Sequence, residues 1–130
     1  MKKTIAISIT SFIFMASPVF AGGFMSADAV KALISDKTTY GKGLKKDFTV
    51  VTYFAADGTM DGTRDGNRRK GKWTVKNNGK QCVEFDDGKN NCRYIKDNGD
   101  GTYSKVKVKG NGKEIPTVLW ESIKDGNTVK

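Results

Sequence analysis

The sequence predicts a mainly β protein: a small antiparallel up-and-down meander of about eight strands, with one short N-terminal helix and one hairpin disulfide. Three observations lead there. Short runs rich in β-branched and aromatic residues alternate with Gly, Asn and Asp clusters, only one stretch has helical periodicity, and two cysteines stand symmetrically about a turn. Connections this short leave no room for crossover helices, which excludes a parallel α/β sheet. A curled open sheet and a closed barrel both satisfy the pattern.

The first 21 residues read as a secretory leader. Lys2 and Lys3 precede the apolar run Ile5 to Met15, and Pro18 precedes a Val19-Phe20-Ala21 ending with small residues where a signal peptidase reads. Ser8, Thr10 and Ser11 interrupt the run, which falls short of the roughly 20 apolar residues that span a bilayer. No cysteine follows for lipid attachment. Residues 22–130 are then one β-domain in a periplasmic or secreted protein with no transmembrane segment.

Ser26 to Asp36 is the helix. Ser26 suits its N-cap, Asp28 its first turn, and Val30, Leu33 and Ile34 fall on one face. A helix this short must pack on a sheet or plug a barrel. The strand runs are Thr38–Lys42, Phe48–Ala55, Thr59–Arg64, Arg69–Lys76, Lys80–Phe85, Asn91–Lys96, Thr102–Lys109 and Thr117–Lys124. Asp-Gly and Asn-Gly pairs between them accept positive φ cheaply and suit hairpins. Trp73 and Val75 face away from Lys72, Thr74 and Lys76, and Val106 and Val108 face away from Lys105, Lys107 and Lys109, so one-sided burial places the apolar side inward. The run Phe48 to Phe54 is apolar on both faces, which predicts cover on its second face, with the helix as a candidate. Pro116 suits a strand start.

Cys82 and Cys92 are equidistant from Asp87, so a hairpin folded there sets them opposite each other, close enough for a disulfide. An exported chain is oxidised, which favours that bridge over a redox or metal pair.

Composition excludes much chemistry. The chain has no histidine, which removes Ser–His–Asp and Cys–His nucleophilic systems and His-ligated metals. Glu84, Asp86 and Asp87 read as hairpin residues rather than catalytic acids. Asp57, Thr59, Asp61, Gly62 and Asp65 partly mimic a calcium loop, but Arg68 stands where the closing bidentate Glu belongs. No catalytic residue, metal site or cofactor is expected.

Charge is the positive clue. Of 23 basic residues against 14 acidic, Lys2 and Lys3 leave with the leader, so the mature chain carries 21 against 14. Arg64, Arg68, Arg69, Lys70 and Lys72 are the densest cluster and the candidate anion-binding residues, with Lys105, Lys107 and Lys109 as a second strip. Their expected partner is an anionic envelope component or an acidic protein. Export and the lack of a stacking platform argue against nucleic acid.

Gly71-Lys72-Trp73 resembles the Gly-x-Trp of lipocalins and other calycin barrels, although here it sits mid-chain and not on the first strand. The ordered set of leader, short helix, Tyr53 to Thr59 turn, Gly71-Lys72-Trp73, Cys82 and Cys92 resembles an uncharacterised family of small exported proteobacterial proteins, a domain of unknown function. That resemblance implies a periplasmic or secreted Gram-negative protein and brings no catalytic residue with it. The expectation is an exported, non-enzymatic binding or interaction protein with a basic surface. An inhibitor of an exported or host enzyme and a small carrier of lipophilic ligands are the alternatives. Intact-mass measurement of envelope-fraction protein, with and without reduction, should give a chain starting at Gly22 that gains two hydrogens on reduction; a retained leader or a free thiol would reject the export argument.

Overall fold

The computed structural model describes residues 23–130, so the leader expected at 1–21 and the expected start at Gly22 lie outside the described residues. The chain forms helix α1 (Ala27–Ile34) followed by strands β1 (Lys37–Gly43), β2 (Thr49–Phe54), β3 (Thr59–Arg64), β4 (Asn67–Val75), β5 (Gln81–Phe85), β6 (Asn90–Asp97), β7 (Tyr103–Val108) and β8 (Glu114–Asp125). Every strand pairs antiparallel with its sequence neighbour, and β8 pairs back onto β1. The sheet is therefore a closed barrel. Closure leaves no free sheet edge.

Local chemistry sets the turns. Asp57 Oδ1 accepts from the Thr59 amide at 2.9 Å and from its hydroxyl at 2.7 Å, and Asp100 repeats both bonds with Thr102 at 2.9 and 2.6 Å. Asp87 accepts from the Lys89 amide, Asn78 from that of Lys80 and Asn111 from that of Lys113. These Asx turns account for the recurrent Asp-Gly and Asn-Gly letters, including those that imitate a calcium loop. The β5–β6 hairpin turns about Asp87 as expected, with Cys82 directly opposite Cys92 and joined to it by a disulfide.

The helix plugs one end of the barrel. Ser26 Oγ caps it by accepting from the Ala29 amide at 3.1 Å. Val30 and Ile34 are fully buried against Phe54, Met60, Trp73, Val83, Ile95 and Trp120. The ring of Phe54 stands edge-on to Trp73 at 5.6 Å and tilted to Trp120 at 6.2 Å. Trp73 Nε1 donates to the Ala55 carbonyl at 2.8 Å, so the indole is both packed and satisfied. Asp36 joins plug to wall: at φ 58°, it accepts on Oδ1 from the Ala56 amide (2.9 Å) and the Tyr53 hydroxyl (3.2 Å). The entering segment is pinned by the Met25 amide on the Ile95 carbonyl (2.8 Å) and by Phe24 stacked on Tyr94.

Three local expectations need correcting. The helix covers the Phe54 face of β2 from inside the barrel, while Val51 and Tyr53 on the other face stay half-buried. Pro116 lies within β8 rather than at its start, beside the register shift between Lys105 and Val106, where a missing amide donor is tolerated. On β7 it is the lysine side that turns inward: Tyr103 packs on the core and Lys105 reaches the lumen, whereas Val106 is buried outside the core cluster. Alternation identified two faces there, but the apolar one was not the lumen side.

Strands cross tightly at two glycines. A Cβ on Gly62 would lie 2.3 Å from the Val51 carbonyl oxygen, and one on Gly71 would lie 2.2 Å from that of Glu84. Neither clash is relieved by a side-chain rotation, because the obstacle is backbone. Gly71→Ala should lower unfolding stability in urea by about 2–3 kcal/mol. Gly110→Ala, where a Cβ meets nothing within 4 Å, should change it by less than about 0.5 kcal/mol. Equal effects would refute the close-approach account.

Candidate functional site

With one end plugged, the lumen opens at the other. There the start of β2, the end of β3, the start of β4, the end of β5 and the start of β6 meet around a cavity of about 190 Å³. Part of its lining is apolar: Phe54, Met60 and Val83, with Val50 and Val118. The rest of the lining includes four cationic side chains, Arg64, Arg69, Arg93 and Lys105, together with Thr52, Thr63, Thr117 and Asn91. Among the described residues that line the cavity there is no Asp or Glu.

Each cation reaches the lumen because of strand parity. Arg64 shares its face of β3 with Met60 and Gly62, and Arg69 shares its face of β4 with Gly71 and Trp73. Arg93 lies two residues before buried Ile95 on β6, and Lys105 two residues after Tyr103 on β7. Two guanidiniums are held by aromatic faces, Arg64 over Phe48 at 3.9 Å and Arg69 over Phe85 at 3.8 Å. Such stacking orients the planar fork and leaves its edge N–H groups free for an oxyanion. Arg93 Nη1 donates to its neighbour's carbonyl, that of Cys92, at 2.8 Å, and the Lys105 ammonium lies 5.8 Å from the Trp120 ring.

The electrostatics match the geometry. Burial lowers the affinity of Arg69 for its proton, with Arg64 adding repulsion and Asp87 partly opposing it, and burial does the same for Arg93. Lys105 is most affected. Its residual exposure is to the cavity, and burial, then Arg93, then Arg69, bring it from 10.5 down to about 8. No carboxylate salt-bridges it among the described residues. Two amides near the cations also lack protein partners: Asn91 Oδ1 in the cavity wall, and both ends of Gln81, which is fully buried opposite Arg93.

The basic run seen in sequence is thus divided between two environments. Arg64 and Arg69 enter the cavity, whereas Arg68, Lys70 and Lys72 are exposed on the opposite strand face. Arg68 is already engaged, with Nη2 at 2.6 Å from Asp61 Oδ2. Sequence reasoning placed Lys105 in a surface strip with Lys107 and Lys109 and treated Arg93 only as a disulfide flank. Parity with Tyr103 and Ile95 was the signal that both face inward. Among the described residues, no group of three or more His, Cys, Asp or Glu side chains converges as metal ligands, and no helix is long and apolar enough to cross a membrane.

No protein-family model matches the chain, and no curated protein is similar enough to it to count as a relative.

A buried cation facing two others is destabilising as long as it holds its proton. Because the folded protein lowers the Lys105 pKa, the unfolded state binds the proton more tightly below about 10, and stability should rise as pH climbs from about 8 toward 10. Lys105→Met should be more stable than the parent at pH 7 by about 1–3 kcal/mol and should lose that part of the pH dependence. Urea unfolding of both proteins at pH 7, 8.5 and 10 measures this; a parent curve parallel to that of the variant would show that Lys105 is not strained.

Proposed function

We propose that this chain is an exported, non-enzymatic binding protein that receives an anion in the open mouth of its barrel. The observation that carries the reading is the convergence of Arg64, Arg69, Arg93 and Lys105 on one cavity without an acidic residue in its wall. Charges of one sign in a low-dielectric recess repel one another, and an arriving anion relieves that repulsion while gaining charge-assisted hydrogen bonds. Export is supported by the leader pattern at residues 1–21 and is compatible with the Cys82–Cys92 bridge. The absence of histidine from the sequence removes His-activated nucleophiles, which supports binding over catalysis.

The apolar part of the lining links this reading to that of a lipophilic-ligand carrier, but a neutral lipophile would bury the cations without answering their charge. A second route for anions runs along the exterior, where Arg68, Lys70 and Lys72 are exposed and could meet an anionic envelope surface or an acidic protein. The two routes separate by mutation. Calorimetric titration of the mature protein with small organic anions at low ionic strength should give binding that falls at least tenfold in Arg69→Gln and in Arg93→Gln. The triple variant Arg68→Gln, Lys70→Gln, Lys72→Gln should bind within twofold of the parent. The reverse order would move the anion site to the outer face, and no binding by the parent would remove the proposal.

A further inference from the structure

Resting on that reading, we infer that the ligand is a compact organic dianion: a doubly charged oxyanion head on an apolar body about as large as one aromatic ring. Three features of the cavity lead there. The cations come from two sides, Arg64 and Arg69 from β3 and β4, Arg93 and Lys105 from β6 and β7. One carboxylate fits the fork of one guanidinium and leaves the other side unanswered; a head with two negative charges can face both.

The second feature is the size of the cavity and the apolar part of its lining. Phe54, Met60 and Val83 line the cavity beside the cations, so the ligand carries an apolar body next to its charged head. An engineered apolar cavity of about 150 Å³ holds benzene, so 190 Å³ has room for a ring with its substituent. A long alkyl chain cannot coil into that volume. The third feature is Asn91 in the wall, whose buried Oδ1 has no hydrogen-bond partner. A half-turn of the amide exchanges its ends and presents N–H donors to an anion.

Binding should also move a proton. The groups facing Lys105 are Arg93 from β6, Arg69 from β4 and the Trp120 ring from β8, none of which is anionic. An anion seated among them returns the Lys105 pKa toward its ordinary value, so binding above pH 8 takes up a proton. Affinity for a ligand whose own charge is constant should then fall by up to about tenfold per pH unit between pH 8 and 10.

The test is calorimetric titration of the mature, disulfide-bonded protein with phenyl phosphate, phthalate, benzoate, inorganic phosphate, benzyl alcohol and dodecyl phosphate at pH 7.5 and low salt. Phenyl phosphate and phthalate should each bind at least tenfold more tightly than benzoate and inorganic phosphate, with no binding of benzyl alcohol. At pH 8.5, paired titrations in buffers of different ionisation enthalpy should report proton uptake on phenyl phosphate binding, absent in Lys105→Met. Arg69→Lys keeps the charge but loses the fork, and should weaken phenyl phosphate while retaining the uptake. Benzoate equal to phthalate would overturn the dianion; inorganic phosphate equal to phenyl phosphate would overturn the apolar body; dodecyl phosphate tenfold tighter than phenyl phosphate would overturn the size limit. In each of those outcomes the anion-binding cavity survives, whereas failure of every anion to bind removes both readings.

Discussion

The plug at one end of the barrel is the constraint on which the rest depends. Phe54 lies between Trp73 and Trp120, and Val30 and Ile34 close over them from the helix. Burying side chains of this size contributes roughly 1.5–3 kcal/mol each, which anchors the strands at that end. An eight-stranded barrel is just wide enough for side chains to fill. Here they fill it unevenly, leaving the far half open to a ligand.

That asymmetry explains why like charges are tolerated inside so small a protein. The guanidinium carbons of Arg64 and Arg69 lie 3.9 and 3.8 Å from the ring centroids of Phe48 and Phe85, so part of their desolvation is recovered by the aromatic faces. Lys105 has no comparable partner, and its lowered proton affinity is the direct expression of that strain. The strain is confined to the cavity on which the proposed anion binding rests.

The outer surface follows other rules. Arg68 pairs with Asp61, Lys42 with Glu121 and Lys37 with Asp125, bridges between exposed or half-exposed groups that add little to stability. Lys70 and Lys72 remain exposed. A closed barrel has no edge strand, so these lysines are not needed to block one. Residues adjacent in sequence, Arg68 and Arg69, thus serve opposite sides of the wall.

Local chemistry in the sequence determined most of the architecture. Asp-Gly and Asn-Gly turns bring each strand back beside the one before it, Ser26 starts the helix, and the symmetry of Cys82 and Cys92 about Asp87 sets their register. These are short-range effects that depend on residues a few positions apart. Closure was not legible, because the β1–β8 pairing joins residues such as Lys37 and Asp125 and depends on the accumulated twist and stagger of the whole sheet. The side of each strand that became the lumen was equally hidden. Charge density located Arg64 and Arg69, but their separation from Arg68, Lys70 and Lys72, and their meeting with Arg93 and Lys105, required the closed barrel. A period-two pattern defines two faces without saying which is inside; only the tertiary structure, by plugging one end with Phe54 and its tryptophans, decided that the other could hold charge.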